Sequence, residues 1–309
     1  MANINQMKRK SIGIIRSIFS KLESLNLKQY FFECALVLMN AILRSSIFYA
    51  SETYYNLKEK EIRHLERIEE SFLRQLLKTG KGCPISQLYL ELGQVPGRFE
   101  IIKIRLLFLK NILDEDEDTR VYKFFNVQKN NPSRGDWVST CRKNLEEIKL
   151  GLTMNEIKET TKAHFSKLLK QKIREAAFKY LVKKQGKKGG DIKYSGLQMA
   201  NYLQPYISNL SITEKQEIFS LRNSMVNIPT NFGIEENCQC GKLESTKHIY
   251  ECKIFNEEEA KEKYEEIYSE KVGKIRNIYR RYKENMKNRE ELKMETSHVT
   301  NGPLFSVHR

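Results

Sequence analysis

Apolar residues spaced three or four positions apart run through most of the first 125 residues, and this spacing limits the fold more than any other feature of the sequence. One stripe consists of Ile62, Leu65, Ile68, Phe72 and Leu76. Such spacing places apolar side chains on one face of an α-helix. The chain has only 15 glycines and 6 prolines among 309 residues, and no alternating apolar run is long enough for a sheet. The sequence therefore predicts a mainly α fold, a multi-helix bundle.

Charged residues and capping signals refine this prediction. We expect the charged residues beside the apolar stripe to face water, namely Glu59, Glu61, Glu66, Arg67 and Arg74. The segment Phe99–Leu113 is apolar nearly all round, which indicates a central helix. Asp136 is placed to cap a helix that carries Trp137. Thr153 and Glu156 form a capping box that is expected to open a long helix.

The first 22 residues are basic and amphipathic, with no acidic residue among them. This pattern suits a mitochondrial transit peptide or the first amphipathic helix of a basic domain. We favour the ordinary helix, because another helical pattern follows directly. That next stretch, Tyr30–Ala50, is interrupted by Glu33, Asn40 and Arg44, so we expect a buried helix rather than a membrane span. A nuclear or cytoplasmic location fits these features.

Four potential metal ligands lie close together in the sequence, namely Cys238, Cys240, His248 and Cys252. Three thiolates and one imidazole suit a tetrahedral Zn²⁺ with no open position, which indicates a structural zinc site. Because Cys-x-Cys is shorter than the usual spacing, a chance cysteine pair beside a surface histidine stays an alternative. The remaining cysteines stand alone and are expected to be ordinary buried thiols: Cys34, Cys83 and Cys141.

The segment 157–190 carries eleven lysines and arginines against two glutamates, in a chain whose net charge is +15. A helix with one apolar face can pack on a core while its cations meet a phosphate backbone. The sequence therefore predicts RNA or DNA binding, and a merely solubilising face is the alternative. We expect residues 183–190 to form a flexible basic loop. The predicted contacts are Lys167, Lys170, Arg174, Lys183, Lys184, Lys187, Lys188 and Arg222.

The sequence lacks the residue patterns of common enzymes. It contains five aspartates, three of them within residues 114–118, and no two are adjacent. A two-metal polymerase site of the Tyr-x-Asp-Asp type therefore cannot be drawn. Phosphate-binding glycine loops and the Gly-x-Ser-x-Gly nucleophile motif are also missing from the sequence. We expect no catalysis by this chain alone.

Two helical segments and the cysteine cluster resemble parts of one known family. The segment Leu38–Thr53 contains Tyr49-Ala50-Ser51-Glu52, and Ile62–Leu77 follows it. These segments are similar to the helix after the polymerase palm and to the next thumb helix in reverse transcriptases of non-LTR (LINE-type) retrotransposons. The cluster of three cysteines and one histidine, preceded by Arg222, resembles the C-terminal zinc knuckle of the same elements. The resemblance covers roughly residues 30–256, in the family's order.

This resemblance implies a C-terminal portion of a reverse transcriptase, without fingers, palm or the aspartates that bind Mg²⁺. The chain would be a truncated or separately encoded retroelement product, and no endonuclease motif follows the knuckle. In the family, thumb and knuckle hold template RNA and target DNA. The linker that the sequence predicts at residues 130–135, taken with the resemblance, divides the chain into a thumb-like region (1–129), a basic helical linker domain (136–226), a CCHC zinc knuckle (227–256) and a charged C-terminal helix with a tail (257–309).

Two alternative functions stay open at the level of sequence. The chain is either a subunit that joins a separately encoded reverse transcriptase palm, or a helical protein-interaction module without nucleic acid. The first needs an exposed apolar surface on the N-terminal helices. The second would use an apolar stripe as a partner helix, namely Tyr264, Ile267, Ile275, Tyr279, Tyr282 and Met286. Neither alternative involves a membrane.

Overall fold

Helices and turns make up the described part of the protein. The computed structural model describes residues 2–25, 30–53, 57–79, 83–133, 135–186, 211–222, 235–245, 248–249, 252, 254, 277 and 280–288. Among these residues there is no strand, only one isolated antiparallel bridge between Asn237 and Leu243. The mainly α prediction is confirmed for them. The chain groups into two compact units, Met1–Ile212 and Thr213–Arg309.

The first unit contains ten α-helices in its described part, and a π-helical segment separates α2 from α3. The helices are α1 (Ala2–Ser24), α2 (Phe31–Leu38), α3 (Ser45–Ile47), α4 (Glu59–Leu77), α5 (Ile85–Glu91), α6 (Gly97–Asp114), α7 (Arg120–Asn130), α8 (Trp137–Glu147), α9 (Met154–Glu159) and α10 (Lys162–Gly186). The π segment is Met39–Arg44. No described helix of the protein is both long enough and apolar enough to cross a bilayer.

The N-terminal helix packs into the first unit. Ile15, Ile18, Phe19 and Leu22 are all buried along one side of α1. The ring of Phe19 lies 5.0 Å from the ring of Phe72 on α4, measured between centroids. The spacing of these four residues is the spacing that puts side chains on one helical face. α1 is therefore an amphipathic helix whose apolar face is covered, as the interpretation of this segment as an ordinary helix requires.

A second apolar cluster surrounds α6, which is central as predicted. The cluster combines residues from α6 through α10, with Leu106, Leu109, Phe165 and Leu169 fully buried. Each such side chain contributes about 1.5–3 kcal/mol when it leaves water. This core includes residues on both sides of 130–135, the linker at which the sequence predicts a domain boundary. The four-part domain division stays a prediction beside this arrangement.

The polar side of α4 differs from the expectation. Glu66 is only 2% exposed, so the prediction that it faces water is wrong. Its carboxylate receives a hydrogen bond of 2.8 Å from Arg98 and one of 3.0 Å from Arg63. Glu69, also buried, accepts from Arg44 at 2.6 Å. A buried carboxylate is tolerated when a cation and hydrogen bonds compensate its lost hydration.

The predicted helix caps are confirmed, whereas the predicted helix lengths differ from those observed. Asp136 Oδ1 accepts a hydrogen bond from the Ser139 amide at 2.6 Å and caps α8. Thr153 and Glu156 form the predicted capping box. The helix that this box opens is short, however, because α9 ends at Glu159 and α10 begins at Lys162. α10 then continues to Gly186, so the prediction of a loop from residue 183 is wrong for residues 183–186.

The described part of the second unit consists of α11 (Ile212–Arg222), a turn at residues 235–245, and helical residues 280–288. Ile218 and Phe219 of α11 are buried. Tyr282 is 2% exposed, and Lys283 Nζ lies 3.0 Å from Glu217 Oε1 of α11. Most of the apolar stripe proposed as a partner helix lies outside the described residues. Tyr282, a member of that stripe, is buried.

Candidate metal site and basic surface

A tight turn presents the first two cysteines of the cluster. The Cys238 amide donates to the Lys242 carbonyl at 2.8 Å, and the Gly241 amide donates to the Cys238 carbonyl at 2.8 Å. Gly241 has a φ of +83°, a conformation that L-residues with a side chain rarely adopt. The Glu244 amide closes the turn on the Glu236 carbonyl at 2.8 Å. The local sequence thus folds the chain back between Cys238 and Lys242.

A short helical turn presents the histidine. Ser245 begins it, because its Oγ accepts from the His248 amide at 3.1 Å and its carbonyl accepts from the Ile249 amide at 3.0 Å. This is the geometry of an N-cap. Cys252 lies four residues after His248 and is buried. Two local motifs, a turn and a capped helical start, therefore bring the four side chains together.

The four ligand atoms form a compact set. All lie within 4.8 Å of one another. The sulfurs of Cys238 and Cys252 are 3.7 Å apart, and Cys240 Sγ is 3.2 Å from His248 Nε2. A tetrahedral ion with metal–sulfur bonds of about 2.3 Å has sulfur–sulfur edges of roughly 3.8 Å. The cluster could therefore hold a metal ion with little rearrangement.

The thiols of the cluster differ in environment. A hydrogen bond from the backbone amide of Lys242 lowers the pKa of Cys240, which is exposed. Burial raises the pKa of Cys252 to about 11. A bound cation would favour the thiolate form of all three cysteines. By contrast, burial raises the pKa of Cys83 and of Cys141 to about 12, as expected for inert thiols.

α10 carries cations beside its buried apolar residues. Phe165, Leu169, Ile173, Ala177 and Leu181 of this helix are buried. Three of the predicted contact residues follow one another at helical spacing and reach solvent. Lys167 and Lys170 are exposed, and Arg174 is half-buried. Side chains at i, i+3 and i+7 share a face of a helix. α10 therefore combines a covered apolar face with an accessible basic row.

Lys184 is placed differently from the rest of the set. Its Nζ lies 4.5 Å from the centre of the Tyr180 ring. Burial and the nearby Arg63 lower its pKa, while Glu66 acts in the opposite direction. Lys184 therefore belongs to the internal charge cluster beside α4 and is half-buried, whereas Lys183 is exposed. Lys187, Lys188 and the side chain of Arg222 lie outside the described residues.

Two residues of the basic row also line a cleft. Lys170 and Arg174 contribute to an open cavity of about 400 Å³ together with Arg44 and Lys103. Sequence reasoning missed Arg44 and Lys103, because they come from other helices and no local motif connects them to α10. The only available signal was the interruption of an apolar stretch by Arg44.

Comparison with other proteins gives no further assignment. The chain matches no protein-family model, no curated protein and no solved structure. Its function is therefore inferred from its own residues.

Proposed function

We propose that this protein binds RNA or DNA through the basic side of α10 and carries a structural zinc ion at Cys238, Cys240, His248 and Cys252. It would correspond to the thumb and knuckle portion of a LINE-type reverse transcriptase, acting without catalysis of its own. The observation that carries the proposal is the accessible row of Lys167, Lys170 and Arg174, because no carboxylate among the described residues pairs with these cations.

Phosphate backbones are the natural partners of such a row. Binding releases condensed counterions, so affinity falls as salt rises and depends little on base sequence. The apolar face of the same helix is fixed in the core, which holds the cations in place. An aromatic ring would be needed beside them for strong interfacial membrane insertion. The row itself contains only lysine and arginine, which favours a polyanion over a membrane.

Zinc is the metal that the donor set favours. Three sulfurs and one imidazole nitrogen are the ligands of closed structural zinc sites. Hard cations such as Mg²⁺ and Ca²⁺ prefer oxygen ligands instead. Such a site supplies apparent binding free energy of about 10–16 kcal/mol, enough to fold a small module. The metal would therefore stabilise the turn that carries Cys238 and Cys240 and take no part in chemistry.

The test measures metal and nucleic acid on the same preparation. Protein purified without added zinc is assayed for bound metal and then titrated with labelled single-stranded RNA at low and high salt. One equivalent of zinc together with steeply salt-dependent binding supports the proposal. Zinc without RNA binding would leave a zinc-stabilised interaction protein and would overturn the nucleic-acid function.

A matched pair of variants locates the contact. K167Q/K170Q/R174Q removes the basic row, and K162Q/K172Q/K179Q removes three other cations of α10. Both variants lose the same net charge, so long-range attraction falls equally in both. We expect the log–log salt dependence to become shallower by about 2 for the first variant, since single strands contribute roughly 0.7 per phosphate contact. Equal behaviour of the two variants would contradict the assignment to this row.

A second candidate function is a subunit that joins a palm-containing reverse transcriptase chain. The observation that favours it is the exposure of apolar side chains in and after the N-terminal helices. Val37 is 64%, Ile42 44% and Tyr49 78% exposed. Replacing Val37 and Tyr49 with serine should abolish capture of a purified palm chain, while replacing the exposed Phe124 of α7 should not. If the wild-type protein captures no palm chain, this candidate fails.

A further inference from the structure

A cleft in the first unit collects charged side chains from three helical segments. It has a volume of about 400 Å³ and lies among the π segment, the loop before α6, α6 itself and α10. Its charged and amide side chains include Asn40, Arg44, Glu100, Lys103, Lys170 and Arg174. A cavity of this volume lies within the range of small-ligand sites. Four of the residues that line it are cations, and one is a carboxylate.

Two of the four cations are compensated within the protein. Arg44 Nε lies 2.6 Å from Glu69 Oε1, and its Nη1 and Nη2 donate to Asn40 Oδ1 at 3.0 Å and to the Val95 carbonyl at 2.5 Å. Its side chain is 8% exposed. Lys103 forms an ion pair with Glu100. Arg44 is therefore a rigid part of the cleft wall whose charge is balanced by a buried carboxylate.

The other two cations have no counter-ion in the part of the chain that the structure describes. There, neither Lys170 nor Arg174 takes part in a hydrogen bond or an ion pair. They are four residues apart on α10, so both side chains lie on one side of that helix. The cleft consequently has an excess of two positive charges, held beside a wall whose own cations, Arg44 and Lys103, are paired within the protein.

We propose that this cleft binds a phosphate group. A phosphate monoester has a charge of about −1.5 to −2 at pH 7 and three strong acceptor oxygens, which match two uncompensated cations. An arginine guanidinium pairs with phosphate through two parallel hydrogen bonds, and a lysine acts as a point charge beside it. None of the described residues that line the cleft is aromatic, so they offer no surface on which a base could stack.

The phosphate can come from two sources, a free or terminal phosphate monoester or the backbone of a nucleic acid. If the phosphate belongs to a nucleic-acid backbone, the inference rests on the proposed function. It then assigns the backbone contact to Lys170 and Arg174 rather than to all the predicted contact residues. A concave site with a fixed wall holds one phosphate group at a defined position. A flat row of lysines would hold the backbone at no particular position.

The test compares two double variants of α10. K170Q/R174Q removes the uncompensated cations of the cleft, and K162Q/K179Q removes two exposed cations of the same helix that neither line the cleft nor belong to the predicted contact set. Each is assayed by equilibrium dialysis of labelled inorganic phosphate, and by titration with 5′-phosphorylated and 5′-hydroxyl single-stranded RNA over a range of salt. Thermal melting followed by circular dichroism checks that both variants remain folded, which we expect because none of the four side chains has a described hydrogen-bond or ion-pair partner.

We expect K170Q/R174Q to lose phosphate binding and to flatten the RNA salt slope by roughly 1.4, two contacts at about 0.7 each. K162Q/K179Q should retain phosphate binding. A loss confined to phosphate and to the 5′-phosphorylated RNA identifies a monoester, and an equal loss for both RNAs identifies the backbone. Identical behaviour of the two variants in every assay overturns the inference. If the wild-type protein binds phosphate but no RNA, the cleft site stands and the proposed function fails.

Discussion

The two units of this protein differ in what surrounds their buried side chains. In the first unit, apolar residues from five successive helices share one core around α6. In the second unit, the turn at residues 235–245 is mostly exposed, and the buried residues near it are chiefly the ligand residues Cys238, His248 and Cys252 with Ile249. A segment this small cannot bury enough apolar area to offset its loss of conformational entropy. Apolar burial surrounds α6 in the first unit, whereas we propose that the turn at residues 235–245 depends on a metal bound to the cysteine and histidine side chains.

The only tryptophan provides a way to observe one unit at a time. Trp137 belongs to the core of the first unit, and its indole donates to the Glu52 carbonyl at 2.7 Å. Its fluorescence therefore reports unfolding of the first unit, while bound metal reports the cluster.

The largest expected effect is the loss of the metal. Changing Cys252→Ser removes one ligand, and binding free energy of up to about 10–16 kcal/mol depends on the complete set. We expect metal content to fall and the region around residues 235–252 to become sensitive to protease. The Trp137 unfolding transition should stay where it is. Cys34→Ser, at a half-buried cysteine outside the cluster, serves as the control. A shift in the tryptophan transition would contradict the independence of the two units.

The next effect concerns the apolar core. Phe165 is fully buried, and Phe165→Ala should destabilise the first unit by about 3–5 kcal/mol because it creates a cavity. Urea unfolding followed by Trp137 fluorescence measures the change. Phe124→Ala, at a phenylalanine that is 65% exposed, should change stability by less than about 0.5 kcal/mol. Metal content should be unaltered in both variants, and a loss of metal in Phe165→Ala would connect two units that we expect to be separate.

A smaller effect comes from the carboxylate inside α4. Burial alone would raise the pKa of Glu66, but hydrogen bonds and charge from Arg98, and then Arg63, lower it below its ordinary value of 4.5. The stabilisation is therefore present above pH 4.5 and is lost as the pH falls through the lower pKa of the folded state. Glu66→Gln should cost about 2 kcal/mol near neutral pH.

The pH dependence of this difference is the decisive measurement. Free energies of unfolding of the wild type and Glu66→Gln, taken from urea titrations, should converge as the pH falls below 4.5. Glu61→Gln on the same helix is the control, since Glu61 is more exposed and bonds to the backbone amide of Lys58. A difference that stays constant from pH 7 to pH 3 would mean that the ion pair contributes nothing to stability.

The smallest effect tests a helix cap. Asp136 caps α8 through the Ser139 amide, so Asp136→Ala should destabilise the first unit by about 1 kcal/mol. Asp136→Asn keeps an acceptor oxygen and should cost less. Both are measured by urea unfolding with Trp137 as the probe. Equal losses in the two variants would contradict a dominant role for the Ser139 hydrogen bond and would point to the charge of Asp136 or to the hydrogen bond that its Oδ2 accepts from the Ser133 amide.

The sequence by itself determined the features that depend on neighbours a few positions away. The helical class follows from spacings of three and four, which place apolar side chains on one face whatever lies opposite. The caps at Asp136 and Thr153 are local hydrogen bonds, and they were predicted correctly. The cluster of Cys238, Cys240, His248 and Cys252 was also visible, because a turn and a capped helical start bring ligands together within fifteen residues.

Only the tertiary structure decided which charges face inward. Glu66 can be buried because Arg98, which comes from another helix, compensates its negative charge. The sequence of α4 contains no signal for that partner. Lys184 is near the same cluster, whereas Lys170 and Arg174 lie in a cleft whose wall is Arg44 from the π segment. These positions depend on segments far apart in the chain that meet only in the folded unit. Contacts between these distant segments determine whether a charged side chain is hydrated or paired. The role of each charged residue therefore depends on how the helices pack and not on its position in the sequence.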